Sequence, residues 1–422
     1  MSGVPLSKAS LKLLSTVLLL SQAVQAISYG FPYSKNATRG VNLGGWLVLE
    51  PWITPSLFDN TNDGRVVDEY TFGRYVPSTT ARSTLKRHWD TFITENDFSA
   101  IRAAGLNHVR LPVGYWAYDP DGPYITGQAT YVDKAVTWAA KYGIKVWIDL
   151  HGVPGSQNGF DNSGRLGDVN WHKNSTNVKR AHAVISNIAK QYANRTSTVT
   201  AIAVINEPAS FKDDGMMDTL KQYYKDTWGA TRYPYGTDQK GNAMVVLHDA
   251  FKPLSYWNNF MPYPRYDGVG MDTHIYQVFS NGGVALNEAG HVKQACQQAS
   301  ELAKFNSLWT FVGEWTTAPN DCAKYLNARG KGARYDGTFP GSTRVGSCYN
   351  VTGDASRFSS AYKTTLRKMF EAQTYAFEKG GRGWFYWTWK TEVAPEWSYS
   401  AGIKGGWIPS PPTARKYPNI CG

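Results

Sequence analysis

The sequence predicts a (β/α)8 barrel, a single domain over residues 27–422 with loop insertions. Three observations lead there. Eight short, apolar, β-rich runs recur along the 422 residues. Stretches with helical periodicity separate them. The polar residues worth noticing fall at the C-terminal ends of the runs, where a barrel of this kind keeps its chemistry. Near-continuous apolar runs are what parallel strands buried on both faces look like. No internal repeat, low-complexity block or Pro/Ser linker divides the chain, so its length reads as one decorated barrel rather than two or three domains.

The elements follow in order. The first run, Gly40–Leu47, leads to Glu50. Ala81–Ala104 then sets Leu85, Trp89, Phe92 and Ile93 at helical spacing. The second run, His108–Tyr115, carries Arg110 midway, and the third, Lys145–Gly152, ends on Asp149-Leu150-His151. The fourth, Ala201–Pro208, closes with Asn206-Glu207. The fifth, Ala243–Phe251, holds His248-Asp249, and the sixth, Val269–Phe279, holds His274 and Tyr276. The seventh, Trp309–Trp315, ends Gly313-Glu314-Trp315. Between residues 356 and 379, Phe358, Tyr362, Leu366, Met369 and Phe370 share one helical face, and Gly380-Gly381 stop the helix. The eighth run, Gly383–Lys390, contains Trp384, Trp387 and Trp389.

Glu207 and Glu314 each close a very apolar strand, and strands four and seven face one another across a barrel mouth. Paired carboxylates in a cleft are the working parts of a glycosidase. One is protonated to donate to the leaving oxygen; the other is ionised to attack the sugar carbon, and opposite environments separate them. Cationic Arg110 is a candidate to hold one carboxylate ionised. A single strand-end glutamate is more often a structural hydrogen bonder. Two of them, with His, Arg, Asn and Trp at the other strand ends, favour catalysis.

Rival chemistries lack their motifs. There is no Gly-x-Ser-x-Gly elbow, no His-Glu-x-x-His helix and no phosphate-binding Gly-x-x-x-x-Gly-Lys-Ser/Thr loop. A metal cluster of His151, His248 and His274 is the weaker reading of three scattered histidines; orientation of a catalytic carboxylate or of a sugar hydroxyl suits them better. Neither metal nor cofactor is expected. Aromatic residues make up 14% of the chain, with 16 Trp, 26 Tyr and 17 Phe. Flat rings on this scale suit a ligand with flat apolar faces.

The ends and cysteines bear on location. Lys8 and Lys12 precede an apolar run from Leu13 to Leu20, and Val24-Gln25-Ala26 follows. Residues 1–26 therefore read as a secretory signal cleaved after Ala26, the run being too short for a membrane anchor. None of Cys296, Cys322, Cys348 and Cys421 forms a Cys-x-x-Cys pair, so two disulfides are expected, with three pairings open. Asn36, Asn174, Asn194 and Asn350 head glycosylation sequons. The net charge of +11 comes without any Lys/Arg run of five, so a nucleic-acid partner is not expected. The expectation is a monomer, outside the cell or in the cell wall.

Four ordered segments carry a resemblance. Arg39–Phe58 (RGVNLGGWLVLEPWITPSLF) resembles the opening of the fungal exo-β-1,3-glucanases of glycoside hydrolase family 5. Ile205–Pro208 (INEP) is similar to that family's acid/base signature, and Phe311–Trp315 (FVGEW) to its nucleophile segment. Trp387–Trp397 (WTWKTEVAPEW) resembles the segment at and after its eighth strand. The likeness runs from about Arg39 to Cys421.

The resemblance implies a retaining mechanism releasing glucose from the non-reducing ends of β-1,3-glucan, with sugar transfer as a side reaction. Glu314 would be the nucleophile and Glu207 the acid, then base. Asn206 would bond the sugar 2-hydroxyl, and Arg110 and Tyr276 would orient Glu314. Glu50, His151 and His274 would hold hydroxyls of the terminal glucose, with Asp161 nearby and Trp387 beneath the ring. Phe160 and Phe279 would clamp the next glucose. The resemblance also implies the pairings Cys296–Cys421 and Cys322–Cys348. The chain departs from it after Cys296, where Gln297-Gln298 replace an aromatic of yeast members. A sister group acting on β-1,6-glucan opens differently; Gly44-Gly45-Trp46-Leu47 resembles the β-1,3 group more. The alternatives are a relative acting on β-1,6- or mixed β-glucan, and a catalytically silent wall-binding protein. The segments 152–171 and 281–291 are the candidates for closing an exo-acting pocket.

Overall fold

Eight parallel strands close into a barrel in sequence order in the computed structural model, which describes residues 29–236 and 239–422. The strands are β1 (Thr38–Asn42), β2 (His108–Gly114), β3 (Lys145–Gly152), β4 (Val199–Ala203), β5 (Met244–His248), β6 (Val269–Ile275), β7 (Trp309–Trp315) and β8 (Gly383–Tyr386). Helices lie between them, so the predicted (β/α)8 class is the observed one. The signal segment read at 1–26 lies outside the described residues. Among the described residues, no helix is long and apolar enough to cross a membrane.

Several strands are shorter than their apolar runs. β1 stops at Asn42, because Gly44 and Gly45 turn the chain, Gly45 at φ +71°. β4 stops at Ala203, short of the expected Pro208. Its chain still follows the sheet, since Val204 N–H donates to Val246 O and Asn206 N–H to Leu150 O, before bending at Glu207. Glu207 has φ +46°, a left-handed conformation uncommon outside glycine and found most often at functional sites. β5 and β6 likewise end at His248 and Ile275, and β8 ends at Tyr386, so Trp387 and Trp389 stand on the loop beyond.

The helical pattern over 81–104 resolves into two helices, Ser78–Thr91 and Glu95–Ala103. Thr94 and Asp97 form a reciprocal capping box that starts the second one. The long helix before β8 spans Ser360–Gly380, begins at the Ser359 cap and ends at the glycine pair.

Much of the aromatic excess is structural. Phe31 and Tyr33 enter the bottom of the barrel and pack with Trp147, Phe311 and Phe385 from β3, β7 and β8. The Tyr33 hydroxyl meets Thr200 Oγ1 at 2.7 Å and accepts from Trp147 Nε1 at 2.9 Å, so this plug buries its polar atom with partners. Higher up, Gly313 lets the chain pass close to Asp272. Its N–H donates to Asp272 Oδ1 at 2.7 Å, and a Cβ there would meet that oxygen at 2.1 Å. The residue before Glu314 is therefore glycine for reasons of space. The disulfides are Cys296–Cys421 and Cys322–Cys348. The first ties the Glu288–Lys304 helix to the C-terminal segment. Asn36, Asn174 and Asn194 are exposed, and Asn350 is half-buried.

Glu396 carries a stability prediction. It is fully buried, and burial pushes its carboxyl up to about 8. The folded chain thus keeps a proton that the unfolded chain gives up near the ordinary value of 4.5. This contribution to stability falls by about 1.4 kcal/mol per pH unit across that window and levels off above it. Glu396→Gln removes the titration. Thermal melts between pH 5 and 8 should show a shallower decline of Tm in the variant than in the wild type. Equal slopes would show that Glu396 is not held neutral.

Candidate active site

The top of the barrel is a polar layer built from alternating inward residues of the strands. Arg110 of β2 is at its centre, buried, with one guanidinium nitrogen donating to Glu314 Oε1 at 2.9 Å and Asn42 Oδ1 at 3.0 Å. The other donates to Asn206 Oδ1 at 2.7 Å and lies 3.2 Å from Asp149 Oδ1. Asp272 is 3.8 Å from Arg110 Nε. One cation thus meets three buried carboxylates, the arrangement under which buried charge is tolerable. The Tyr276 hydroxyl donates to Glu314 Oε2 at 2.8 Å, so both oxygens of that carboxylate have a donor and its plane is fixed.

Glu207 lies across from Glu314. His274 Nδ1 is 2.8 Å from Glu207 Oε1 and 3.5 Å from Glu314 Oε2, so one ring nitrogen links both carboxylates. Asn162 Nδ2 approaches Glu207 Oε2 at 3.3 Å. The sequence expected His274 to orient a catalytic carboxylate or to hold a sugar hydroxyl. The structure sets Nδ1 against the carboxylates and Nε2 3.5 Å from Asp272 Oδ2. His151 is held by Asp149 at 2.6 Å through Nδ1, which leaves Nε2 toward Asn206 at 3.5 Å.

Electrostatics follow from these neighbours. Burial alone would lower His274, but Glu314 and Asp272 outweigh it, and the imidazole is held well above an ordinary histidine. Burial raises Glu207, yet the hydrogen bond and charge of His274 bring it below the usual carboxylate range. Burial raises Glu314 more than His274 and Arg110 lower it, so it stands above that range. Glu207, Glu314 and His274 are thus coupled through one imidazole nitrogen and titrate as a unit.

Beside this cluster lie acceptors without partners. Glu50 is buried, with Oε2 accepting from Trp52 Nε1 at 3.0 Å and Oε1 unpaired. Asp161 Oδ2 is also buried and unpaired, and burial pushes that carboxyl up to about 7. Buried polar atoms are almost always satisfied, so unpaired acceptors in a pocket point to a ligand rich in hydroxyl donors. Trp387 lies parallel to His151, ring centres 5.6 Å apart. Phe160 and Phe279 stand on the loops after β3 and β6; Lys212 Nζ sits 4.4 Å over Phe160, and Phe279 packs edge-on against Tyr276 at 5.2 Å.

The loop after β3 is stitched on both sides. Gln157 Nε2 donates to His151 O and Asn206 O, and Ala209 N–H donates to Gln157 O. On the other flank Tyr70 N–H donates to Gly164 O and Leu166 N–H to Asp68 Oδ2. Among the described residues Glu207, His248 and His274 are grouped closely enough to suggest a cation site. However, His248 Nδ1 accepts the Ala250 N–H at 3.0 Å, which puts that ring's proton on Nε2 and leaves no lone pair for a metal.

With this geometry in place, comparison with known proteins is decisive. A family model described as Cellulase (glycosyl hydrolase family 5) matches residues 73–335. The chain belongs to glycosyl hydrolase family 5. This family 5 chain is 46% identical over 412 residues to a glucan 1,3-beta-glucosidase of Blumeria graminis, covering 96% of this chain and 94% of that one. It is 44% identical to the glucan 1,3-beta-glucosidase of Lachancea kluyveri, covering 93% and 91%. Among solved structures, rutinosidase from Aspergillus niger shares the fold with a TM-score of 0.70 at 20% identity, covering 90% of this chain and 99% of that one.

Several members of the family 5 site escaped the sequence reading. Asn42, Asp149 and Asp272 hold Arg110, His151 and His274. Two of them carried a signal, since Asp149 and Asp272 precede His151 and His274 by two residues and share their inward face. Trp52 and Trp397 pack at 5.1 Å behind the Glu50 carboxyl and the Phe279 ring. Asn162 comes from a single 3-10 turn, Asp161–Ser163, too short for a periodicity to reveal it.

Proposed function

We propose that this family 5 enzyme is a secreted, retaining exo-1,3-β-glucanase that releases glucose from the non-reducing ends of β-1,3-glucan. The observation that carries the mechanism is His274 Nδ1, within 3.5 Å of both Glu207 and Glu314. Carboxylates that both reach one nitrogen stand close together, which supports the retaining spacing of roughly 5–5.5 Å over the inverting one of roughly 6.5–9.5 Å. The relatives named as glucan 1,3-beta-glucosidases support the substrate.

In the first step the Glu314 carboxylate attacks the anomeric carbon. The bond from that carbon to the leaving oxygen breaks, and Glu207 gives that oxygen its proton. His274 supplies Glu207 with the proton along the 2.8 Å bond. In the second step Glu207 takes a proton from water, the hydroxide oxygen bonds the anomeric carbon, and Glu314 is released. A sugar hydroxyl in place of water gives transglycosylation. Glu50, Asp161 and His151 receive hydroxyls of the terminal glucose, while the loop after β3, tied to both neighbouring loops, closes the pocket behind it. Paired disulfides support an oxidising, extracellular location.

Laminarin and pustulan, β-1,3- and β-1,6-linked, separate the linkage readings. Glucose release should be at least about tenfold faster from laminarin, since unsatisfied hydroxyl contacts at one sugar cost 1–3 kcal/mol. Faster turnover of pustulan would overturn the linkage assignment. No glucose from either would leave only a binding role.

A further inference from the structure

Glu50 and Asp161 reach the terminal-glucose pocket from two separate loops, those after β1 and β3. Their spacing is set from a third place, the short helix Glu69–Tyr75 in the connection between β1 and β2. That helix is firmly seated. Phe72 packs against Phe58 at 6.2 Å, and Gly73 lies so near Pro123 O that a Cβ there would meet it at 2.1 Å.

Three successive residues at its start take hold of different loops. Asp68 accepts the Thr71 N–H through Oδ1 at 2.7 Å, capping the helix, and the Leu166 N–H through Oδ2 at 2.7 Å. Glu69 accepts the Leu49 N–H through Oε2 at 2.8 Å, and Leu49 is the residue before Glu50. Its Oε1 accepts from Trp116 Nε1 at 2.8 Å and from Gln128 Nε2 at 3.2 Å. Tyr70 N–H donates to Gly164 O at 2.9 Å, and Gly164 closes the Asp161–Ser163 turn. The Trp116 ring adds a second path to that turn, since a Cβ on Gly164 would meet it at 2.3 Å.

The choice of residue at position 69 is informative. Glu69 is buried, and its three donors are neutral N–H groups, so no cation offsets the cost of taking the carboxyl out of water. Apolar packing of similar volume would serve stability as well. What a carboxyl supplies is two coplanar acceptors. Here they fix the loop after β1, the loop after β2 and the Gln128–Tyr142 helix to one another at hydrogen-bond distance.

We propose that Asp68 and Glu69 are positioning residues of the terminal-glucose pocket. Glu69 sets Glu50 through the Leu49 backbone, and Asp68 sets Asp161 through the Leu166 backbone. Neither touches the sugar. This inference rests on the proposed glucanase reading, in which Glu50 and Asp161 receive hydroxyls, and adds the pair that fixes how far apart they stand.

The test is a pair of double-mutant cycles read on the inhibition constant of 1-deoxynojirimycin, which carries the hydroxyls of glucose without a leaving group. The variants are Glu69→Met with Glu50→Ala, and Asp68→Asn with Asp161→Ala. Met keeps the length of Glu69 without an acceptor; Asn keeps the cap but turns an N–H toward Leu166. Each single variant should weaken the inhibitor about tenfold, the scale of one lost or misplaced hydrogen bond. Each double variant should be within twofold of its Glu50→Ala or Asp161→Ala parent, because a residue that acts through another adds nothing once that one is gone. Gln128→Leu, which removes a donor on the far side of Glu69, should lower Tm while leaving the inhibition constant within twofold. Losses that multiply in the cycles, or a loss of affinity in Gln128→Leu matching the others, would reduce Asp68 and Glu69 to structure alone. If Glu69→Met does not fold, the Asp68 cycle decides by the same criterion. Undiminished binding in both Glu50→Ala and Asp161→Ala would strike the terminal-glucose reading itself, and the positioning role with it.

Discussion

Glu314→Gln should reduce kcat on laminarin by at least about 10⁴-fold, the scale on which removal of a catalytic nucleophile is felt. The reasoning is geometric. Arg110 at 2.9 Å and Tyr276 at 2.8 Å fix both oxygens of Glu314, so the carboxylate is aimed before substrate arrives. Glutamine keeps the shape and hydrogen-bonding capacity but cannot form the covalent intermediate. Binding should survive, so the variant should retain affinity for laminari-oligosaccharides in titration calorimetry while releasing no glucose. Its Tm should stay within a few degrees of the wild type. A variant that still hydrolyses laminarin at wild-type rate would remove Glu314 from the chemistry.

Glu207→Gln is the second large effect, and its signature is its dependence on the leaving group. Loss of a general acid costs about 10²–10⁴-fold where the leaving oxygen needs a proton. Dinitrophenyl β-glucoside leaves without one. Its first step should be little affected, and turnover should stall at the glycosyl-enzyme, seen as a burst of dinitrophenol. Laminarin should show the full loss. The pH profile should change as well, because the proton shared with His274 is removed from the essential set. A uniform loss on both substrates, without a burst, would assign Glu207 to structure rather than proton transfer.

The fold was legible because eight buried strands must be apolar on both faces, and that pattern survives in a single sequence. Strand ends were less legible. Val204 and Ile205 are as apolar as a strand, yet the regular strand ends at Ala203 and the chain bends at the left-handed Glu207. The two glutamates stood out because each closes a very apolar run, at Asn206-Glu207 and Gly313-Glu314. What holds them was hidden for different reasons. Asp149 and Asp272 support His151 and His274 two residues along the same strands, but their contacts to Arg110 cross between strands and depend on register, which no local pattern records. For His274 the sequence left carboxylate orientation and sugar contact both open, because its distance to both carboxylates is a tertiary fact.

Proton NMR of the first minutes of laminarin hydrolysis tests whether Glu207 and Glu314 work as a retaining pair on the end of a β-1,3-glucan, since it reads the anomer released before mutarotation and the size of the product together. β-Glucose is the expected first and dominant product. Initial α-glucose would contradict the retaining pair, and initial release of longer oligosaccharides would contradict a pocket closed around the terminal sugar.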